Sequence, residues 1–524
     1  KVRRVEIPKP DGKLRPLGIP TIMDRLIQQC ILQVLEPICE AKFYKHSYGF
    51  RPLRSTKHAI SRAYSLSQKN NLHYVVDVDI KGFFDNINHG KLIKQLWTLG
   101  IRDKSLIAVI SKMLKAEIEN VGIPDKGTPQ GGILSPLLAN VVLNEFDWWI
   151  NSQWENMPTK KTYQPGMRKD GSLNYGHTYR ALKTTNLKEV YIVRYADDFK
   201  LFCRNHQDAV KIFEASKQWL KNRLHLEISK EKSKIVNLRK NHSYFLGIKF
   251  KVHKKGKKKD RNTKWVVKSH IQEKALNKIK ENVRKHIINI QKPKKSIELA
   301  IDLYNSFVIG IHNYYNCATN CNVDMSKLSN QTRTKIFARL KSRRVNKSDK
   351  LPDYIKIVYG KSEMLRILGN KPLLPLSYIQ HSKLMNFSQA NIYNPIDREK
   401  IHNSQKVADY KIIKYLIENP IQGQSIEYND NRISLYIGQL GKCAITKEEL
   451  EIGSMECHHI QPRSQGGLDN YNNLVLITKE VHKLIHSTQS ETISKYLKYL
   501  PTDKVTLEKL NKFRTKAGNF EICL

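Results

Sequence analysis

Residues 189–203 read EVYIVRYADDFKLFC, two apolar runs bent about Ala196, Asp197 and Asp198. Val190 and Ile192 before the bend, and Leu201 and Phe202 after it, ask to be buried in a sheet. The spacing predicts a β-hairpin with two adjacent carboxylates at its tip. A second stretch, residues 74–80 (YVVDVDI), alternates as a strand, with Tyr74, Val76, Val78 and Ile80 facing one way and Val75, Asp77 and Asp79 the other. Acids late on so apolar a strand run against strand propensity. Joining two nucleotides requires ionising a 3′-hydroxyl and neutralising a departing pyrophosphate. Two Mg²⁺ ions do both, and carboxylates from two strands can clamp such a pair. Taken singly, Asp197-Asp198 is ordinary turn chemistry and Asp79 an ordinary helix cap.

A third segment weighs against those plain readings. Residues 127–137 (GTPQGGILSPL) place two consecutive glycines where a backbone can approach a ligand closely, with Gln130 beside them. Ser135 is expected to cap, and Pro136 to begin, a helix reaching Trp149. No P-loop pattern occurs, so ATPase chemistry is not indicated.

Charge widens the picture. The 524 residues carry 91 Lys and Arg against 48 Asp and Glu, a net +43. Such an excess points to a polyanionic partner, nucleic acid first among them. Hydrophobic residues at 40% suffice for real cores, and the length suggests three to four domains. No apolar run is long enough to cross a bilayer, and no signal-peptide pattern is present. Eight scattered cysteines without a CxxC pair argue for a reducing, cytosolic setting, bacterial-type or in an organelle. The chain begins at Lys1 rather than Met, which leaves room for a segment upstream.

Along the chain, residues 1–20 read as a strand pair turning at Asp11-Gly12, followed by helices near 22–41, 55–68, 89–98 and 102–116. Residues 158–188 read as a long surface loop, 206–224 as a helix, and 233–237 and 244–252 as strands. A basic loop follows at 254–259, then helices from 270 to 345. Residues 346–430 give only Pro-containing loops and short helices.

Six motifs stand in one order: residues 7–20 (IPKPDGKLRPLGIP), 46–52 (HSYGFRP), 79–85 (DIKGFFD), 129–132 (PQGG), 195–198 (YADD) and 245–247 (FLG). In this the chain resembles group II intron reverse transcriptases over roughly residues 1–250. The resemblance implies an α+β multidomain protein with a right-hand fingers-palm reverse transcriptase and an α-helical thumb. Asp79, Asp197 and Asp198, helped by the Ile80 carbonyl, would bind two Mg²⁺. Lys9, Arg15 and Lys232 would contact the dNTP triphosphate, Phe84 would pack on its sugar, and Gln130 would sit by the base pair. Phe245, Leu246 and Gly247 would grip the primer. Residues 303–315 (LYNSFVIGIHNYY) look like the thumb, or maturase, signature. Its Leu303, Phe307, Ile311 and Tyr314 stripe reads as core, and RNA contacts are expected from Lys and Arg of 274–295, 333–344 and the 254–261 loop.

Near the C-terminus, residues 457–460 (CHHI) precede Gly466-Gly467, Asn472-Asn473-Leu474, His482 and His486. Histidines four apart on a helix share a face, and a third from a strand completes a plausible ligand set. The order resembles HNH, or ββα-metal, nucleases. That implies one divalent ion held by His458, His482 and His486, with His459 as general base and Asn473 orienting it. The cysteine pairs that often surround this core are missing. Thr446 stands where Cys443 would need its partner, and Thr478 and Val481 stand at the second pair, so a structural zinc is not expected.

The organisation implied is fingers and palm at 1–255, thumb at 265–375, a DNA-binding linker at 376–432 and the nuclease at 433–524. Its function would be RNA-templated DNA synthesis, assistance to splicing of its intron RNA, and nicking of a DNA target to supply the primer. A splicing factor without polymerase activity, or a retron-type or defence reverse transcriptase, remains the alternative.

Overall fold

The computed structural model describes residues 2–8, 14–167, 173–257, 263–346, 349, 351–382, 391–398, 409–500 and 504–522. The chain divides into two compact units, Lys1–Gln389 and Ala390–Leu524.

The first unit opens with the antiparallel pair β1 (Arg3–Pro8) and β2 (Leu14–Ile19), as expected; the Asp11-Gly12 turn lies outside the described residues. Helices α1 (Ile22–Glu40) and α2 (Thr56–Gln68) lead to β3 (Tyr74–Val78), then to α3 (His89–Thr98), α4 (Lys104–Leu114) and α5 (Ser135–Gln153). The stretch expected as loop holds a short pair, β4 (Gly166–Met167) and β5 (Leu173–Asn174), and a two-turn helix, α6 (Gly176–Leu182). The hairpin is β6 (Val190–Tyr195) and β7 (Asp198–Cys203), followed by α7 (His206–Leu224) and β8 (Lys234–Asn237). These strands form one antiparallel sheet in the order β6-β7-β3-β8.

Alternation decides what each face of that sheet does. Phe199 of β7 packs on Phe146 of α5, which meets Trp219 of α7, so these helices cover one face. Asp198 and Lys200, the flanking residues, point to the other. Ser135 does not cap α5. Leu134 occupies the cap position, and the Ser135 hydroxyl turns back to donate to the Pro129 carbonyl at 2.8 Å.

A second sheet, β9 (Ser243–Phe245), β10 (Ile248–Lys257) and β11 (Thr263–Ile271), leads into α8 (Glu273–Gln291), α9 (Ile297–Tyr315) and α10 (Cys321–Thr334). The stripe read as core on α9 is only half so: Ile311 is buried, but Leu303 and Tyr314 are exposed. The buried face instead carries Ile301, Tyr304, Asn305, Val308 and His312. Its polar members are satisfied by residues 372–376: Tyr304 donates to the Leu374 carbonyl, Asn305 to that of Pro372, and His312 meets that of Leu376. Counting apolar residues alone misses a face built this way. Strands β12 (Arg343–Arg344), β13 (Arg366–Leu368) and β14 (Lys371–Leu373), with α11 (Asp353–Tyr359), complete the unit.

The second unit has its own core. Helices α12 (Tyr410–Glu418) and α13 (Ile426–Gly438) precede the pair β15 (Met455–His459) and β16 (Leu474–Thr478). After these come α14 (Lys479–His486), α15 (Ser490–Leu497) and α16 (Lys504–Lys516). Ile412, Leu416, Tyr428 and Leu435 of the first two helices share that core with Leu476, Leu484 and Leu510. Residues 410–432, expected within a linker, therefore pack inside the unit that carries the histidines. Among the described residues, no helix is long and apolar enough to cross a membrane.

Candidate active sites

The first site is built by strand register. Val78 pairs with Phe199, so Asp79 and Asp198 follow at the same end of the two strands, near enough for their charges to repel. Asp197 sits beside Asp198 in the two-residue turn. Partial desolvation, then repulsion from Asp77, Asp197 and Asp79, pushes the Asp198 carboxyl up to about 6 in spite of Lys200. Carboxylates crowded this way favour a cation among them. Lys232 supplies a weak substitute, its Nζ 3.5 Å from Asp79. The Asp79 main chain is fixed by Ser229, whose N–H donates to its carbonyl at 2.8 Å, and by Ser233, whose Oγ lies 3.1 Å from its nitrogen.

The turn itself is held from beneath. Ala196 has φ +57°, a region costly for a residue with a Cβ. Its carbonyl accepts from Nη1 of Arg194 at 2.9 Å, and the same guanidinium bonds Asn140 at 2.9 Å and both oxygens of Asp147 at 2.6 to 3.0 Å. Arg194 and Asp147 are both essentially inaccessible to solvent. Lys200 is buried too, 2.8 Å from Asp77, with its ammonium over the Phe245 ring. Sequence reading passed over Arg194 and Lys200; the signal available was a cation in the middle of each apolar strand.

Several of the other expected contacts can be placed. Thr128 donates to the Phe84 carbonyl, and Gln130 donates to Asp85 at 3.0 Å. Gly131 has φ +127°, and a Cβ there would lie 2.6 Å from the Gly18 carbonyl oxygen, so β2 and the Gly-Gly loop meet main chain to main chain. A cavity of about 290 Å³ lies between them, lined in part by Arg4, Lys126 and Gln130. Ile80 is buried and Phe84 half-buried. Lys9 lies outside the described residues, and for Arg15 only the backbone, on β2, is described. Phe245 is buried on β9, whereas Leu246 (φ +49°) and Gly247 form a half-buried turn. The hydroxyl of Tyr314 on α9 donates to the Leu246 carbonyl at 3.2 Å.

In the second unit, His458 on β15 meets His482 and His486 on α14, with one ligand nitrogen of each within 4.8 Å of the others. Helix α14 is capped by Thr478 and anchored by Val481, Leu484 and Ile485, which leaves both its histidines on the opposite face. Burial, then the three neighbouring histidines, lowers the His458 pKa to about 3, so it stays neutral as a ligand must. Its Nε2 is buried with no hydrogen-bond partner, and its Nδ1 lies 3.4 Å from Nε2 of His486. An orphaned buried nitrogen within such a trio fits a divalent cation. Glu456, which sequence reading missed, holds Nδ1 of His482 at 2.5 Å and leaves its Nε2 to a metal.

The Asn473 side chain makes no hydrogen bond to His459 itself. It is taken up by the backbone of its own loop: Oδ1 accepts from Gln461 N–H at 2.8 Å, while Nδ2 donates to the carbonyls of Gln461 and Leu468. The partner of His459 is Asp469, 2.8 Å from Nε2. Asp469 is ten residues along in an irregular loop, where no periodicity marked it.

Residues 7–250 match the family model described as Reverse transcriptase (RNA-dependent DNA polymerase), and residues 442–488 that described as HNH endonuclease. Protein YkfC of Escherichia coli (strain K12) is 35% identical over 251 residues, covering 45% of this chain and 63% of that protein. Group II intron-encoded protein LtrA of Lactococcus lactis subsp. cremoris is 34% identical over 375 residues, 61% of each chain. The chain thus spans somewhat less than two thirds of the length of these relatives. Among solved structures, apo telomerase from Candida tropicalis, truncated from its C-terminal domain, aligns at 13% identity with a TM-score of 0.33. That alignment covers 48% of this chain and 53% of that one, too slight a likeness to argue from.

Proposed function

We propose, from the premise that this chain joins a reverse transcriptase domain to an HNH endonuclease domain, that it is a group II intron-encoded protein. In this reading it binds its intron RNA, assists splicing, nicks the second strand of a DNA target and extends the nick by reverse transcription. The observation that carries the reading is the presence, in one chain, of the carboxylate cluster where β3 ends and β7 begins and the histidine trio of β15 and α14. The relative named as a group II intron-encoded protein supports the intron assignment.

Divalent ions bound at the first site would supply the charge that ionises a 3′-hydroxyl and steadies pyrophosphate. Asp79, Asp197, Asp198 and the Ile80 carbonyl would hold them. Lys232 then leaves Asp79 for the dNTP triphosphate, joined by Lys9 and Arg15. Phe84 packs on the sugar, Gln130 exchanges Asp85 for the nascent base pair, and the Phe245–Gly247 turn holds the primer. At the second site His458, His482 and His486 would hold one divalent ion, His459 would take the proton of the attacking water, and Asn473 keeps the loop rigid. Fingers and palm are assigned to residues 1–255 and the thumb to 265–375. Exposed Lys274, Lys278, Arg284 and Lys285 on α8 lie where intron RNA would be neutralised. The region expected as a linker, 376–432, contributes to holding target DNA, and its residues 410–432 do so as part of the unit that holds the nuclease assigned to 433–524. Free cysteines suit a reducing compartment such as the cytoplasm.

The test is primer extension on an RNA template, run beside strand-specific DNA cleavage, for the unmutated protein, Asp197→Asn and His459→Ala. Asp197→Asn should lose extension and keep RNA binding; His459→Ala should keep extension and lose second-strand nicking. Normal extension by Asp197→Asn would refute the polymerase assignment.

A further inference from the structure

His459 is clamped on three sides. Its backbone pairs with Leu474 of β16. Its ring lies against that of Tyr428 on α13, with centroids 5.6 Å apart and planes 19° from parallel. Its Nε2 meets Oδ1 of Asp469 at 2.8 Å. That carboxylate is itself fixed, because Oδ2 accepts from Ser425 Oγ at 2.6 Å and Oδ1 from Arg463 at 2.7 and 3.2 Å. Ser425 caps α13, Asn431 of the same helix donates to the Asp469 main-chain carbonyl, and the Tyr428 hydroxyl donates to that of Cys457. Helix α13 lies outside the segment that matches the nuclease family, residues 442–488.

An ionised carboxylate can only accept hydrogen bonds. With Asp469 at Nε2, that nitrogen must carry the imidazole proton, and Nδ1 is left with the free lone pair. We propose that Asp469, braced by Ser425 and faced across the ring by Tyr428, is the positioning residue of the nuclease, fixing His459 as the Nε2–H tautomer with Nδ1 as the base. The inference rests on the nuclease reading given above. In the reaction, the water oxygen bonds to phosphorus as its proton passes to Nδ1. The P–O3′ bond breaks, and the leaving oxygen takes a proton from solvent. Asp469 stays ionised throughout and bonds the imidazolium that forms.

A purely structural Asp469 would tie the 463–469 loop to α13 and nothing more. Asp469→Asn separates the roles: its carbonyl can still accept from Ser425 or Arg463, but its amide can donate to Nε2 and so favour the wrong tautomer. The assay is second-strand nicking, by the full chain with its co-purifying RNA, of a duplex bearing the joined sequences that flank that RNA's intron. The expected loss in kcat for Asp469→Asn is about 10²- to 10⁴-fold, the range of a general base, with KM for DNA and the Mg²⁺ half-saturation nearly unchanged. Asp469→Glu should recover part of the rate. Combining Asp469→Asn with His459→Ala should cost nothing beyond His459→Ala alone, since the two act as one unit. Unimpaired nicking by Asp469→Asn, or a further drop in the double variant, overturns the inference and leaves the nuclease reading standing. No nicking by the unmutated protein overturns both.

Discussion

Arg194→Met removes the cation beneath the acidic hairpin, and its two consequences can be separated. Asp147 would be left buried and unpaired, which costs about 3–5 kcal/mol where one partner of a buried ion pair is deleted. The Ala196 carbonyl would lose a charged donor, a bond worth about 1.5–3 kcal/mol. Only the first loss is cured by also removing Asp147, because a buried pair replaced by apolar groups is often neutral or better. Arg194→Met/Asp147→Leu should therefore recover the unfolding midpoint lost by Arg194→Met. Its hairpin tip, at φ +57° without its anchor, should still sit out of place. A displacement of about 1 Å costs roughly 10²-fold in rate, so primer extension should stay down by about that factor in both variants. All six tryptophans lie in residues 97–265, so intrinsic fluorescence during urea unfolding reads the first unit alone. Extension at the unmutated rate by Arg194→Met, or a rate that returns together with stability in the double variant, would refute the reasoning.

Three further outcomes are expected. RNA affinity should fall linearly on a log–log plot against salt, with a slope of about −0.7 to −0.9 per neutralised phosphate; a flat plot would exclude the basic surface as the binding surface. The raised Asp198 carboxyl binds a proton more readily folded than unfolded. Its contribution to the stability of the metal-free protein should therefore grow as pH falls toward 4, read as the difference in unfolding midpoint from Asp198→Asn, and the Mg²⁺ half-saturation for extension should rise up to about tenfold per pH unit below about 6. A half-saturation constant between pH 5 and 7 would contradict this. Glu456→Gln should weaken metal binding at the histidine trio by about 10- to 100-fold, read by metal titration of the nicking rate, without changing extension.

What the sequence revealed and what it hid divide along physical lines. The acidic hairpin and strand were legible because carboxylates stood out against apolar runs of period two. The histidine trio was legible because two members lie four apart on a helix. Arg194 and Lys200 find their partners 47 and 123 residues away, a match only the folded sheet makes. Asp469 reaches His459 from a loop without periodicity. The buried face of α9 was misjudged because Asn305 and His312 are hidden by hydrogen bonds rather than by hydrophobicity. Helix α13 joined the nuclease unit through Tyr428 and Leu435, whose spacing alone names no neighbour.

The meeting of Gly131 with Gly18 has a consequence for how the polymerase cleft tolerates change. Where two elements touch through side chains, their separation varies with rotamer, temperature and substitution. Here Gly18 N–H donates to the Gln130 carbonyl at 2.8 Å, and the Gly18 carbonyl comes too near Gly131 to admit a methyl group. Backbone alone therefore sets the spacing between strand β2 and the Gly-Gly loop, as a spacer without adjustable parts. Surrounding side chains are free to drift while the slot keeps its width, but the spacer has no graded variants: even alanine at residue 131 would force the strand away.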